Sequence, residues 1–258
     1  MLAMFEAEFM PGTYGRRADP TMSFDRFAPP AALPFALVAR SAEFLGLLSD
    51  EDRPELASLG RRRRADRPEV LLARGDPADR VIVLEAGRVK ISVPTAAGDA
   101  VMTFRGPGAL LGEQALVDDL PRSANVIAVE PVELLVIAAS AFRAYLNRRP
   151  GVALAMLAVL STRLRDSDRR LAEFAAADTL GRVSARLVEL CDTHGELDEG
   201  GAVRVTLPIT QDELAGWTGA SLESTAKALR ALRSLGWITT RRRAIEVHDL
   251  AVLRHRAP

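Results

Sequence analysis

Leu157, Leu160, Leu164, Ser167, Leu171 and Phe174 follow one another at steps of 3, 4, 3, 4 and 3. Such steps trace one stripe of a single long helix, with the spacing of a coiled-coil seam. A seam this regular needs a cover, and a second copy of the same helix is the simplest one. The spacing therefore predicts a homodimer through residues 157–174. Ser167 is the lone polar residue of the seam, with Asp168 beside it. A polar seam residue either fixes register and oligomeric state or receives a polar partner, and both readings are open here. The 258-residue chain leaves room for a domain on each side of the helix.

On the N-terminal side the pattern is that of strands. Residues 69–140 hold the runs VLLARG, RVIVLEAG, VKISVP, AVMTFRGPG, SANVIAVEP and VELLVIAAS, broken by Gly75, Gly87, Gly98, Gly106, Gly108 and Gly112. Short strands with a turn signal about every 10 residues predict an antiparallel sandwich or barrel. Between two of the runs lies LLGEQALVDDLPRSANV, residues 110–126, where Glu113 and Arg122 sit among apolar and small residues. One reading of the pair is a partly buried salt bridge that stabilises a turn. Residues 1–40, rich in Pro and Gly without sustained period, predict a poorly ordered tail ahead of an ordered domain over 41–150. AEFLGLLSDEDRPELASLG reads as short helices around an acidic turn. The four arginines at 61–64 read as a solvated edge ahead of a strand, with a nucleic-acid patch as the alternative.

From Pro150 the period becomes helical, which places the seam helix over 151–177 and a second domain over 178–258. Asp178 predicts an N-cap for TLGRVSARLVEL, THGELDEGG a loop, and AVRVTLP a strand with Val203, Val205 and Leu207 on one side. Thr210 and Glu213 form a capping box ahead of DELAGWTG, which must stop at Gly219. Ser221 then caps LESTAKALRALRSLG. Two helices joined by a tight Gly-containing turn predict a helix-turn-helix. Ala226, Leu229 and Leu232 are its expected buried face, and Glu223, Lys227 and Arg230 lie on another face suited to the major groove. WITTRRRAIEV continues as a hairpin whose arginines 241–243 make a basic wing for phosphate contacts. The expected DNA contacts are Thr210, Ser221, Leu222, Glu223, Ser224, Lys227, Arg230 and Arg242, on double-stranded DNA.

Charge agrees with this division. The chain is formally neutral, but from residue 201 onward nine Arg or Lys stand against five Asp or Glu. No apolar run reaches the roughly 18 residues of a membrane span, and the start lacks the features of a secretory leader, so a cytoplasmic protein without membrane contact is expected. The single cysteine, Cys191, excludes an internal disulfide and leaves too few thiols for a cysteine-ligated metal site; no metal is expected. Cys191 reads as a small buried residue on a helix, and His194, His248 and His255 as surface residues. With no nucleophile and base pair in view, an enzyme is not expected.

A Gly-punctuated β-domain, a seam helix and a winged helix-turn-helix, in this order, resemble the Crp/Fnr family of transcription regulators over about residues 41–250. The resemblance implies an α+β fold: an N-terminal cyclic-nucleotide-binding β-roll that is jelly-roll-like, a long dimerisation helix and a C-terminal winged helix-turn-helix. Gly112, Glu113, Arg122, Ser123 and Ala124 resemble the family's phosphate-binding cassette, from which Gln114 departs by replacing an aliphatic residue. A guanidinium can meet a cyclic phosphate with parallel hydrogen bonds, which suits Arg122. Glu113, which the phosphate would repel, then falls to the ribose 2′-hydroxyl. Ser167 matches the position that hydrogen-bonds the base, and Asp168 the one that reaches the base held by the other protomer. Cyclic AMP is the first expected effector. Cyclic GMP is the second, because an acidic Asp168 pairs with guanine N1 and N2 donors and Ser123 is compatible with guanine.

In the helix-turn-helix, Glu223 and Lys227 match the family's base-contact positions, while Leu222 replaces a common Arg and removes one expected guanine contact. The resemblance further implies a pseudo-palindromic operator and RNA polymerase as a partner. Two alternatives stand beside this reading: a Crp/Fnr-type regulator with no small-molecule ligand, and a nucleotide-sensing module acting on a protein partner.

Overall fold

The computed structural model describes residues 43–96, 98–241 and 244–257. The expected tail lies outside the described residues, as do Arg242 and Arg243 of the wing.

A 3-10 turn, Phe44–Leu47, and α1 (Asp52–Ser58) lead into β1 (Gly60–Ala65), β2 (Val70–Leu72), β3 (Arg80–Ala86), β4 (Val89–Thr95), β5 (Gly98–Arg105) and β6 (Leu110–Leu111). After the short helix α2 (Glu113–Asp118) come β7 (Asn125–Ala128) and β8 (Val132–Ala138). The strands form two antiparallel sheets, ordered β1-β8-β3-β6 and β2-β7-β4-β5. They make the two-sheet antiparallel domain that the strand pattern predicts, a β-roll as the family resemblance implies.

The near-continuous apolar run of β3 has a physical reason. Ile82 and Leu84 pack in one core with Leu72, Val89 and Val126, while Val81 and Val83 pack in another with Phe44, Phe142 and Tyr145. A strand buried on both faces loses the polar and apolar alternation of a half-exposed one.

The arginine run is itself β1, an edge strand, and does not precede one. Arg62 pairs with Glu85, Arg63 with Glu69 and Arg64 with Glu133. Exposed pairs of this kind add little stability, but long charged side chains on an edge discourage unwanted strand pairing.

α3 (Ala139–Arg148) leads to α4 (Pro150–Ala176), which opens on a proline at its first turn, where the missing N–H costs nothing. Val152, Ala155, Met156 and Val159 bury one face of α4 against the β-roll core. Leu157, Leu164, Leu171 and Phe174 are 56, 64, 70 and 54% exposed, so within one chain most of the seam is uncovered, while Leu160 is half-buried against the β-roll core. Phe174 has a further role: its ring lies under the guanidinium of Arg182 at 4.7 Å and beside Gly219.

Asp178 accepts from the Gly181 amide and starts α5 (Thr179–His194). There follow β9 (Gly195–Leu197), β10 (Val203–Val205), α6 (Gln211–Thr218), α7 (Leu222–Ser234), β11 (Ile238–Arg241), β12 (Ala244–Val247) and α8 (Leu250–Arg256). The small sheet has the order β11-β12-β10-β9. The expected loop THGELDEGG thus contains the last turn of α5 and strand β9. All three residues of β9 are exposed, so pairing with β10 leaves no apolar alternation to read.

Cys191 is buried on α5 as expected. His194 corrects its expectation: it is half-buried, and burial, followed by the charge of Arg88, lowers its pKa.

The C-terminal core continues into the β-roll. Val183, Leu187, Leu214, Trp217, Leu229, Leu232 and Val247 share one cluster with Val101 and Phe104 of β5 and with Val129. Phe104 meets Trp217 edge to face at 5.1 Å. A Cβ on Gly216 would fall 2.3 Å from the Asp99 carbonyl, so α6 reaches the β5 backbone at a place where only glycine fits.

Candidate ligand cavity and nucleic-acid interface

The turn from β6 into α2 is made by Gly112 at φ 81°. A Cβ there would lie 2.6 Å from Arg122 Nη1 and 2.9 Å from Leu72. Glycine therefore supplies both the left-handed backbone and the space in which the arginine lies. Arg122 is 4% exposed. It donates to the Gly112 carbonyl at 2.8 Å and the Arg80 carbonyl at 2.5 Å, with Asp79 at 3.5 Å. Its own main chain is pinned by bonds from Arg122 N to the Asp76 carbonyl and from Gly75 N to the Arg122 carbonyl. Its Nε is buried and lacks an acceptor. Such a donor costs about 1–3 kcal/mol until something accepts from it.

Glu113 is equally buried, but its partner is not Arg122. Its Oε1 accepts from Arg163 Nη1 of α4 at 2.6 Å, and Arg163 Nη2 donates to the Leu110 carbonyl at 2.9 Å. The salt-bridge reading of the Glu113 and Arg122 pair is corrected accordingly. Each charge is met separately, Glu113 from the long helix and Arg122 from the β3 entry.

These residues line a cavity of about 290 Å³, near the lower end of the roughly 300–1,000 Å³ typical of small-molecule sites. Ile91, Val93, Leu111 and Val126 give it an apolar side, and Gly112, Glu113, Gln114, Arg122, Ser123 and Ala124 a polar one. Arg163, Asp166, Ser167 and Arg170 close it from α4. Every expected ligand residue is thus on the cavity wall except Asp168, an exposed residue of α4 that does not line it. Ser123 Oγ donates to Gln114 Oε1 at 3.2 Å, which gives the unexpected Gln114 a partner within the cassette. Ser167 Oγ donates back to the Arg163 carbonyl at 3.0 Å.

Sequence reasoning missed Arg163, Asp166 and Arg170. The helical spacing of Arg163 and Arg170, four before and three after Ser167, was the available signal.

In the second half the capping box is complete: Thr210 Oγ1 accepts from the Glu213 amide, and Glu213 accepts from the Thr210 amide. Glu213 also takes Lys90 Nζ of β4 at 3.2 Å. Burial alone would raise the Glu213 carboxyl, but the Thr210 backbone bond and the Lys90 charge outweigh it and hold the pKa below 4.5. Gly219, at φ 61°, makes the turn, and Ser221 Oγ accepts from the Ser224 amide while donating to the Ser224 hydroxyl. The hydroxyls of Thr210, Ser221 and Ser224 are therefore engaged in capping.

α7 buries Thr225, Ala228, Leu229 and Leu232. Ala226, expected on that face, is half-buried, because the core stripe is centred on the Thr225 and Ala228 side. Leu222, Glu223, Lys227 and Arg230 are exposed along one side of the helix. Among the described residues no group of His, Cys, Asp and Glu has the placement to hold a metal, and no helix is long and apolar enough to cross a membrane.

Known proteins match the same two regions. The family model of the cyclic nucleotide-binding domain matches residues 62–149, and that of the Crp-like helix-turn-helix domain residues 181–256. A CRP-like cAMP-activated global transcriptional regulator of Mycobacterium tuberculosis is 33% identical over 192 residues, covering 74% of this chain and 85% of its own length. The chain belongs to the Crp/Fnr family.

Within the Crp/Fnr family, the cyclic AMP receptor protein of Thermus thermophilus is 29% identical, covering 80% of this chain and 92% of its own. The solved structure of a CRP/FNR-family transcriptional regulator from the same organism aligns with TM-score 0.66 at 26% identity, covering 76% of this chain and 98% of that one. At the level of the Crp/Fnr family, then, the protein is a cyclic-nucleotide-binding transcription regulator and not an enzyme.

Proposed function

We propose that the protein is a homodimeric transcription regulator whose affinity for a pseudo-palindromic operator is set by cyclic AMP. The observation that carries the ligand half is the Nε of Arg122, a buried donor without an acceptor at the wall of a nucleotide-sized cavity. A phosphate oxygen is the acceptor its charge favours. In this reading Ser123 and the amides near Gly112 would take the remaining oxygens, Glu113 the ribose hydroxyl, and Ser167 the base. That relatives carry the description cAMP-activated supports cyclic AMP over cyclic GMP. Cyclic GMP is the second reading, favoured by the Asp168 carboxylate, which is exposed on α4 beside the seam and suits guanine donors in a partner's site.

The uncovered seam supports the dimer. In such a dimer a β-roll over 41–150, a dimerisation helix over 151–177 and a DNA-binding domain over 178–258 would stand on each side of a two-fold axis. Recognition helices related by that axis would enter successive major grooves about 34 Å apart. Glu223, Lys227 and Arg230 would face the bases and phosphates, with Leu222 an apolar contact, Arg242 on the wing, and RNA polymerase the further partner in the cytoplasm.

Calorimetry with cyclic AMP and cyclic GMP in separate titrations, beside Arg122→Ala, tests the reading. Binding by the wild type and its loss in Arg122→Ala is the expected result. Heat from neither nucleotide would show a family member without this ligand.

A further inference from the structure

Arg170 stands on α4 one turn beyond Ser167 and belongs to three places at once. It lines the ligand cavity. Its Nη1 donates to the Met102 carbonyl of β5. Its Nη2 donates to Glu189 of α5 at 2.7 Å and approaches Thr103 Oγ1 at 3.5 Å. Its guanidinium carbon is 5.9 Å from the ring centre of Trp217 on α6, within cation–π reach. Both α5 and α6 lie in the DNA-binding half.

The contact continues beyond Arg170. The guanidinium carbon of Arg186, on α5, lies 5.6 Å from the centre of the same Trp217 ring; Arg186 is also bonded to Glu173 of α4 and pairs with Glu189 at 2.7 Å. Arg170, Glu189, Arg186 and Glu173 thus alternate in sign across the joint between α4 and α5. Arg186 is 4% exposed, so this is no screened surface pair, and loss of one member strands a desolvated charge.

The Nε of Arg170 is buried and has no acceptor. A nucleotide carries phosphate, hydroxyl and ring-nitrogen acceptors, any of which would complete the guanidinium without displacing Glu189 or Met102.

We propose that Arg170 is the residue through which occupancy of the cavity reaches the DNA-binding half. By accepting from Nε, the ligand tightens Arg170 on Glu189 and Trp217 and so fixes α5 and α6 against β5. Arg170 is a positioning residue, and its role rests on the nucleotide reading above. It differs from Arg122, which meets the ligand but makes no bond to α5 or α6.

Hydrogen exchange across α5 and α6 of the full chain, with calorimetry on the same samples, tests this in the wild type, Arg170→Gln, Glu189→Gln and the double variant. Without nucleotide, each single substitution should speed exchange in α6 about threefold or more, and the double no further than the larger single, as for two members of one network. With saturating cyclic AMP, exchange slows in the wild type. Arg170→Gln, which loses one ligand contact, should bind more weakly but still reach saturation through Arg122 and Ser123, yet show less than half of that slowing. Arg170→Lys, which keeps a charge without the planar fork, should restore the ligand-free exchange but not the response. Additive singles, or a response in Arg170→Gln equal to the wild type, overturn the role of Arg170 while the nucleotide reading stands. Absence of nucleotide binding by the wild type overturns that reading and the transmitted signal with it.

Discussion

The helix-turn-helix and the ligand cavity are built by opposite means. Thr210, Glu213, Gly219 and Ser221 fix both ends of α6 and the start of α7 through bonds to residues three or four positions away. The cavity instead takes walls from β4, β5, the cassette around α2, and α4, so Glu113 and Arg163 meet across 50 positions. A locally specified unit tolerates change at its edges. A unit assembled from distant segments depends on close backbone approaches, such as that of Arg122 to Gly112.

Substitutions can break this comparison, and the largest effect belongs to the shared core. Leu229→Ala should cost about 2–5 kcal/mol by urea denaturation, because Leu229 is 1% exposed in the cluster that also holds Val101 and Phe104. One transition, followed by both far-ultraviolet circular dichroism and tryptophan fluorescence, would show that the two halves unfold together. Two separated transitions would confine the damage to the C-terminal half.

Gly112→Ala comes next. Its positive φ alone costs about 1–3 kcal/mol, and the added Cβ displaces the Arg122 guanidinium, so calorimetry should register weakened nucleotide binding. DNA-binding surface residues are untouched, and binding to non-specific duplex should stay as in the wild type.

Thr210→Ala removes a cap and should cost about 1 kcal/mol, read as a lowered denaturation midpoint with nucleotide affinity unchanged. A change in affinity would mean that the local unit is not local.

The smallest expected effect follows pH. The Glu213 carboxyl is held below its ordinary value of 4.5, so its contribution to stability is complete above that value and is lost as pH falls through the depressed one. Glu213→Gln should therefore be less stable than the wild type at pH 7, with the gap narrowing toward acid in parallel denaturation curves.

The same contrast decides what was legible in the sequence. Caps, glycine turns and the seam are local patterns, and Asp178, Thr210 and Ser221 cap where their spacing says. The cassette was legible through Gly112, Glu113 and Arg122, yet their partners were not, because the choice of Arg163 for Glu113 and Asp79 for Arg122 arises only when α4 and β3 close on the turn. β1 was obscured by its arginines, whose charge masked a strand that pairs along β8. β9 was hidden likewise by its exposed side chains. Nothing in one dimension indicated that Trp217 would rest on Phe104, since packing between distant surfaces leaves no period.

Cys191 carries a practical consequence. Burial, with Asp192 nearby, pushes its thiol up to about 11, so at neutral pH only about one molecule in 10⁴ presents the reactive thiolate. Because it is the only cysteine in the chain, a second one placed at an exposed position would take up a dye or spin label almost alone. The surroundings of that label can then be followed without first removing any native thiol.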